Sequence, residues 1–454
     1  MTRTVELPLW LFGLIVLFAA VTFASHFLFP SVRWFFRRRL ERAVAQLNQR
    51  LERPIQPFKL TRRYDMIQRI IYNPHVSQAI ADHARAEGIP DNVAFQQARG
   101  YAREIVPSFS ASIYFGVAIR LARILSNAIY HVRLRQLDEP ALKAIDPEAT
   151  VVFVMNHRSN MDYVLVTYLA ADRSALSYAV GEWAHVWPLS RLIRAMGAYF
   201  IRRKSRNALY RAVLACYVRL STDAGVTQAM FPEGGLSLSG GLMPPKLGLL
   251  TYITAGFDPE GRDVVFVPVA LNYDRVLEDR ILIAAGQGTG RRFNARIGVI
   301  FAQVLRQCWL WLTGRYQRFG EAVVTFGAPL SLDALQAEIP GDVTRVLARR
   351  LMQRIADGVP VLPVPLVAWL MLTYGAMTRA EIDARARAAM ATLPVSNVGR
   401  FSSDAHAATE AGLRALSAQE ALREDGGRYV VDPQGLELLR FYANSICHLM
   451  PPGP

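Results

Sequence analysis

At 454 residues the chain can bury a sizeable core and still carry accessory segments. Its hydrophobic share of 52% and its 52 Lys and Arg against 37 Asp and Glu, a formal net charge of +15, suit an anionic lipid surface, an acidic protein carrier or a nucleic acid as partner. No finger, RNP-like or basic-zipper pattern accompanies that charge, so nucleic acid is set aside, and Cys216, Cys308 and Cys447 fit neither a disulfide framework nor a zinc-ligand spacing.

Leu7 to Phe29 is nearly continuous in apolar residues, and about 20 residues at about 1.5 Å rise cross a hydrocarbon core, so residues 1–30 are predicted to hold one transmembrane helix. Arg33, Arg37, Arg38, Arg39 and Arg42 follow it directly, which by the positive-inside tendency puts the rest of the chain on the cytoplasmic face. A cleaved signal and a docked hydrophobic helix are the weaker alternatives. Residues 31–140 read as a helical, basic, membrane-proximal subdomain, with turn signals at Arg53-Pro54, Asn73-Pro74, Gly88-Ile89-Pro90 and Val106-Pro107. Within it, hydrophobic and basic residues alternate from Ile113 to Arg135. That pattern fits a helix resting on a bilayer and a helix covering the core equally well.

Residues 141–330 alternate β-rich and helical runs. Strands are expected at Val151 to Met155, Leu176 to Val180, Tyr199 to Ile201, Gln228 to Phe231, Val264 to Leu271 and Ala322 to Phe326. Intervening helices are expected at Tyr163 to Ala171, Ser205 to Ala224 and Leu247 to Ala255, so the fold class is α/β, a central mixed sheet with flanking helices and helical extensions at both ends. Residues 331–454 read as helical. Val364 to Tyr374 is apolar but short for a membrane span, so a packed or interfacial helix is favoured, and Thr378 to Ala391 reads as a solvated helix.

The chemistry concentrates at strand ends. After Val151 to Met155 comes Asn156-His157-Arg158-Ser159-Asn160-Met161-Asp162. A neutral imidazole can take an alcohol proton at physiological pH, and a carboxylate near its other nitrogen fixes the tautomer. On one unbroken helix five residues turn through about 140°, so His157 belongs in the strand-to-helix turn and Asp162 in the first helical turn, capped by Ser159 or Asn160. After Gln228 to Phe231, Pro232 ends the strand, Glu233 is presented, and Gly234 and Gly235 let backbone amides approach an oxyanion or a phosphate. Between Arg191 and Arg219 the basic residues, Arg202 and Arg203 among them, have no Asp or Glu beside them, and guanidinium forks match phosphate oxygens. Lys246 follows a Pro-Pro turn and either holds an anion or merely covers that turn. Asp274 closes the run ending at Tyr273, where a strand end stapled by Asp-to-backbone hydrogen bonds is the plain alternative to a site role. Pro268 is expected at an edge or bulge. No metal-ligand spacing, Walker loop or dinucleotide loop is found.

Taken in order, His157 to Tyr163, Gly197-Ala198-Tyr199-Phe200-Ile201-Arg202-Arg203, Phe231 to Gly235, and Val267 to Asp274 resemble the four blocks of the glycerol-3-phosphate acyltransferase branch of the glycerolipid acyltransferase superfamily, with its HxxxxD and FxEG motifs. The tail Phe441 to His448 is similar to that branch's C-terminal end. The resemblance implies a membrane-bound enzyme that needs no cofactor and moves an acyl group from acyl-CoA or acyl-acyl carrier protein to glycerol 3-phosphate. In that reading His157 is the base and Asp162 its orienter, while Arg158, Arg202, Arg203, Glu233, Gly234, Gly235 and Lys246 bind substrate. Leu236 and Leu238 stand where the branch usually has arginines, which keeps a lysophosphatidate acceptor as the rival and a non-catalytic lipid binder as a further alternative. A Ser159–His157 hydrolase is the least favoured, because two residues of separation give a poor geometry for attack.

Overall fold

The computed structural model describes residues 8–19, 38, 42, 44–51, 53–169, 174–181, 189–202, 207–288, 318–339, 341–398 and 404–451. The chain divides into two compact units, Met1–Ile55 and Gln56–Pro454. In the first, the described part of the expected transmembrane segment is an apolar helix, Leu9–Ala19; the remainder of Leu7 to Phe29 lies outside the described residues.

In the second unit, runs such as Thr150–Met155 (TVVFVM) are strands because β-branched and large apolar side chains fit a pleated surface. All six of its residues are buried, as expected of a strand covered on both faces. Among the described residues the main sheet has eight strands. They are β1 (His131–Gln136), β2 (Thr150–Met155), β3 (Ser177–Gly181), β4 (Tyr199–Ile201), β5 (Gln228–Met230), β6 (Val264–Tyr273), β7 (Glu321–Phe326) and β8 (Leu330–Ser331), in the order β1-β7-β6-β2-β5-β3-β4 with β8 on β6. β2 runs parallel to both β5 and β6, whereas β7 and β8 are antiparallel to β6, so the sheet is mixed. Side chains alternate between two cores. Val151, Phe153 and Met155 join Tyr178, Phe200, Val269 and Phe326 on one face, while Val152 and Val154 join Phe266, Leu250 and Leu351 on the other.

Two expectations change here. The alternation from Ile113 to Arg135 is not one helix: the helical stretch Ala111–Ile129 ends, and His131–Gln136 pairs parallel with β7 as an edge strand. Its arginines mimic an amphipathic helix by composition but alternate with Val132 and Leu134 at period two, and charged residues also suit a sheet edge. Pro268 lies in the central strand β6 rather than at an edge. It is tolerated because β8 pairs Val265 and Phe266, β7 pairs from Val269 onward, and the proline sits between the two ladders, where its missing N–H is not needed.

Ala111–Ile129 is, among the described residues, the helix long and apolar enough to cross a membrane, and Val117, Leu121 and Ile124 on it are exposed. Pro363–Tyr374 is a packed helix: nine of its residues are buried, and a Cβ at Gly412 of the helix Ala405–Ser417 would lie 2.5 Å from the Pro363 carbonyl oxygen. Arg379–Ala391, read as solvated, opens on a Thr378–Glu381 capping box and buries Ile382, Ala386, Ala389 and Met390. A small three-stranded sheet of Met377–Thr378, Leu422–Asp425 and Arg428–Val431 has no counterpart in the sequence reading.

Candidate active site

At the carboxyl end of β2, Asn156 pins the chain to β6: its side-chain amide donates to the Leu271 carbonyl (2.9 Å) and its oxygen accepts from the Leu271 N–H (2.8 Å). His157 therefore leaves the strand in a fixed direction. The helix Met161–Leu169 begins four residues later, and Ser159 Oγ accepts from the Met161 N–H (3.1 Å), the capping expected of Ser159 or Asn160. That turn brings Asp162 back to His157, with Nδ1 to Oδ2 at 2.9 Å, both side chains essentially sealed from solvent.

Asp162 is surrounded by donors. Oδ2 also accepts from the backbone N–H groups of Arg158 (2.7 Å) and Ser159 (3.0 Å), and Oδ1 accepts from the Tyr273 hydroxyl (2.5 Å). Donors on every side suit a carboxylate, and the bond to Nδ1 leaves Nε2 of His157 as the nitrogen able to receive a substrate proton. The imidazole stacks on Phe231 at 4.0 Å between centroids and meets the edge of Tyr163 at 5.4 Å. Behind the turn, Glu278 accepts from Ser159 Oγ (3.0 Å) and the Asn160 N–H (2.6 Å).

The second motif meets the first directly. Gly234 adopts φ +68°, its N–H donating to the Phe231 carbonyl (3.1 Å), and the Ser237 N–H donates to the His157 carbonyl (3.0 Å). The Lys246 N–H donates to the Pro232 carbonyl (2.8 Å), and the lysine side chain lies so close over Gly234 that a Cβ there would be 2.7 Å from Lys246 Cδ. A glycine is required at this point for both its backbone and the close approach.

Arg158 and Glu233 are buried, 3% and 1% exposed: none of the three guanidinium nitrogens has a hydrogen-bond partner, and the Glu233 carboxyl is approached by the backbone N–H groups of Met243 and His157 but by no hydrogen-bonding side chain. Burial pushes the Glu233 carboxyl up to about 8, against the opposing pull of the Arg158 charge, and burial likewise lowers the Arg158 pKa. Arg158 Cζ sits 5.3 Å from the centre of the Phe441 ring, so the C-terminal helix Leu436–Ala443 closes this side. Buried charges without partners are costly, and folded proteins keep them where a ligand supplies the missing partners. A cation and a carboxyl in this state beside a histidine base can receive a phosphate and a hydroxyl.

Of the residues expected at the site, His157, Arg158, Asp162, Glu233, Gly234 and Lys246 come together, with Gly235 in the same turn. Arg202 directly follows β4 and makes a two-pronged ion pair with Glu104 (2.9 and 2.6 Å) between the rings of Tyr101 and Tyr210. Arg203 lies outside the described residues. Asp274 staples a strand end, its Oδ2 accepting from the Glu321 N–H (2.8 Å) and its Oδ1 from the Val364 N–H (3.2 Å). Tyr273, Glu278 and Phe441 reach the site without having been assigned a role in the sequence. Leu236 packs against the core, and Leu238 is exposed.

Residues 136–272 match the Acyltransferase family, and residues 310–452 match the glycerol-3-phosphate acyltransferase C-terminal region. The glycerol-3-phosphate acyltransferase of Pseudomonas fluorescens (strain Pf0-1) is 27% identical over 426 residues, covering 86% of this chain and 49% of that protein. That of Xanthomonas campestris pv. campestris is 27% identical over 369 residues, covering 76% and 40%. The chain thus spans about half the length of the curated relatives it matches. A solved 1-acyl-sn-glycerophosphate (LPA) acyltransferase from Thermotoga maritima aligns at 16% identity and a TM-score of 0.31, covering 53% of this chain and 77% of that one.

Proposed function

We propose that this chain, an acyltransferase-family domain joined to a glycerol-3-phosphate acyltransferase C-terminal region, transfers a fatty acyl group from an activated thioester to a hydroxyl of glycerol 3-phosphate at a membrane surface. The observation that carries the reading is the sealed His157–Asp162 pair next to a buried arginine whose guanidinium makes no protein hydrogen bond and a buried glutamic acid that no side chain hydrogen-bonds.

In this mechanism Nε2 of His157 takes the proton from the acceptor hydroxyl as its oxygen attacks the thioester carbonyl carbon. Asp162 holds the ring by Nδ1 and stabilises the imidazolium. The developing oxyanion meets the Gly235 N–H, since the Gly234 N–H is engaged by the Phe231 carbonyl. Collapse of the tetrahedral intermediate breaks the carbon–sulfur bond, and the leaving thiolate recovers the proton from His157, giving ester and free thiol. Arg158 and Lys246 hold the acceptor's phosphate, and Glu233, in its protonated form, donates to a glycerol oxygen. The donor is acyl-CoA or acyl-acyl carrier protein. Exposed Val117, Leu121 and Ile124 on Ala111–Ile129 support contact with lipid.

The test incubates the purified chain in lipid with an acyl thioester and either glycerol 3-phosphate or its 1-acyl derivative, following free thiol and product mass. Thiol release that depends on glycerol 3-phosphate, absent in His157→Ala with the melting temperature kept, is the expected result. Product formed only from the 1-acyl acceptor assigns the rival substrate, and lipid binding without thiol release refutes catalysis.

A further inference from the structure

Two loops continue past the strand ends at the site, residues 231–241 after β5 and residues 274–278 after β6. Backbone polar groups in such loops take their partners from elsewhere in the fold, and here one short segment near the carboxyl terminus serves both. Asn444 Nδ2 donates to the Ser239 carbonyl (2.9 Å), and the Gly240 backbone, at φ +83°, lies against the Phe441 carbonyl. The Tyr442 hydroxyl accepts from the Val276 N–H (3.0 Å) and donates to Asp279 Oδ2 (2.7 Å). Ser445 Oγ accepts from Asn272 Nδ2 (3.3 Å) near the end of β6.

Phe441 and Tyr442 are consecutive on the helix Leu436–Ala443, so their side chains leave it about 100° apart and reach different parts of the site. The Phe441 ring is buried against Arg158, whose guanidinium makes no protein hydrogen bond, and the ring face is therefore a contact that orients it. Tyr442 is fully buried, and burial holds its hydroxyl well above the ordinary tyrosine range, so it keeps its proton and donates. The loop it grips carries two groups to the catalytic turn. Glu278, next to Asp279, accepts from Ser159 Oγ and the Asn160 N–H, and Tyr273, three residues before Val276, donates to Asp162 Oδ1.

We propose that Phe441 and Tyr442 are positioning residues for two separate parts of the reaction, Phe441 setting the Arg158 guanidinium for the acceptor's phosphate and Tyr442 setting, through residues 274–278, the turn that holds His157 and Asp162. The inference rests on the acyl transfer proposed above. A helix that only packed against the core would change both kinetic constants along with stability, whereas two positioning roles separate them.

Steady-state thiol release by the full chain in lipid, with glycerol 3-phosphate varied and each variant melted, tests this. Phe441→Met keeps most of the bulk but loses the ring face, so KM for glycerol 3-phosphate should rise about 3- to 30-fold with kcat held within about twofold. Tyr442→Phe keeps the ring and loses both hydrogen bonds, so kcat should fall about tenfold or more while KM holds. In a Glu278→Ala background the same change should lower kcat no further, because the link it breaks is already lost. Phe441→Leu and Asp279→Asn loosen the same two contacts and replace either variant if it does not melt cooperatively. Any pattern without this separation overturns the proposal, whether both constants move together, both stay at wild-type values, or the Tyr442→Phe effect is undiminished without Glu278. A wild type that turns over no glycerol 3-phosphate refutes the reaction instead, and hydrogen exchange then decides the Tyr442 link. Exchange of the Asn160 amide at least about tenfold faster in Tyr442→Phe upholds it, and unchanged protection overturns it.

Discussion

Tyr273→Phe removes one oxygen from the site and little else. The ring is fully buried and lies 5.2 Å from that of Tyr130, so phenylalanine keeps the packing while Asp162 Oδ1 loses the donor it now has at 2.5 Å. A hydrogen bond to a charged group contributes about 1.5–3 kcal/mol. If that stabilisation serves to hold Asp162 against His157 as the imidazolium forms, its loss appears in the transition state, and kcat falls roughly 10- to 150-fold. The acceptor's phosphate does not touch Tyr273 in the proposed mechanism, so KM for glycerol 3-phosphate should hold. Steady-state thiol release with varied acceptor, run beside a thermal melt, separates the effects. A variant with wild-type kcat removes Tyr273 from the orienting role, and one that loses melting temperature and KM together reduces it to packing.

Glu233→Gln tests the buried carboxyl through pH. A native pKa of about 8 against an ordinary 4.5 means that, between these values, the folded protein keeps a proton that the unfolded chain has released, so stability falls as pH rises through that window. Fully developed, the loss is on the order of 5 kcal/mol, and the glutamine variant should show a flatter melting temperature from pH 5 to 8; an unchanged slope refutes the assignment. Arg158→Met should raise stability by about 1–3 kcal/mol, because a buried cation without hydrogen-bond partners is removed, while turnover falls at least about 100-fold. Retained turnover dismisses its phosphate role. Gly240→Ala should cost at least about 3 kcal/mol, since φ is +83° and the new Cβ would lie 1.8 Å from the Phe441 carbonyl oxygen; normal melting of that variant would mean that the loop and the C-terminal helix do not meet.

Short-range order was legible in the amino-acid sequence. The β-rich runs became β2 to β7 with shifts of one or two residues, because a strand buried on both faces must be apolar along its whole length. The His157 and Asp162 pairing was legible too, since a strand, a capped turn and the first helical turn suffice to close a five-residue gap. Pairing across the chain was not. Tyr273 reaches Asp162 from 111 residues away, and Glu278 supports Asn160 from 118, contacts that no local pattern encodes. Its place in a family-like block made Arg202 a candidate for substrate contact, but only the packing of β4 against Asp91–Ile105 shows it engaged by Glu104. The edge strand β1 and the break that tolerates Pro268 depend on which strands become neighbours. Backbone periodicity and turn chemistry act over a few residues and are written in order along the chain; the satisfaction or neglect of a buried charge is decided by what the fold brings beside it, and that is where the buried Arg158, its guanidinium without a protein hydrogen bond, came into view.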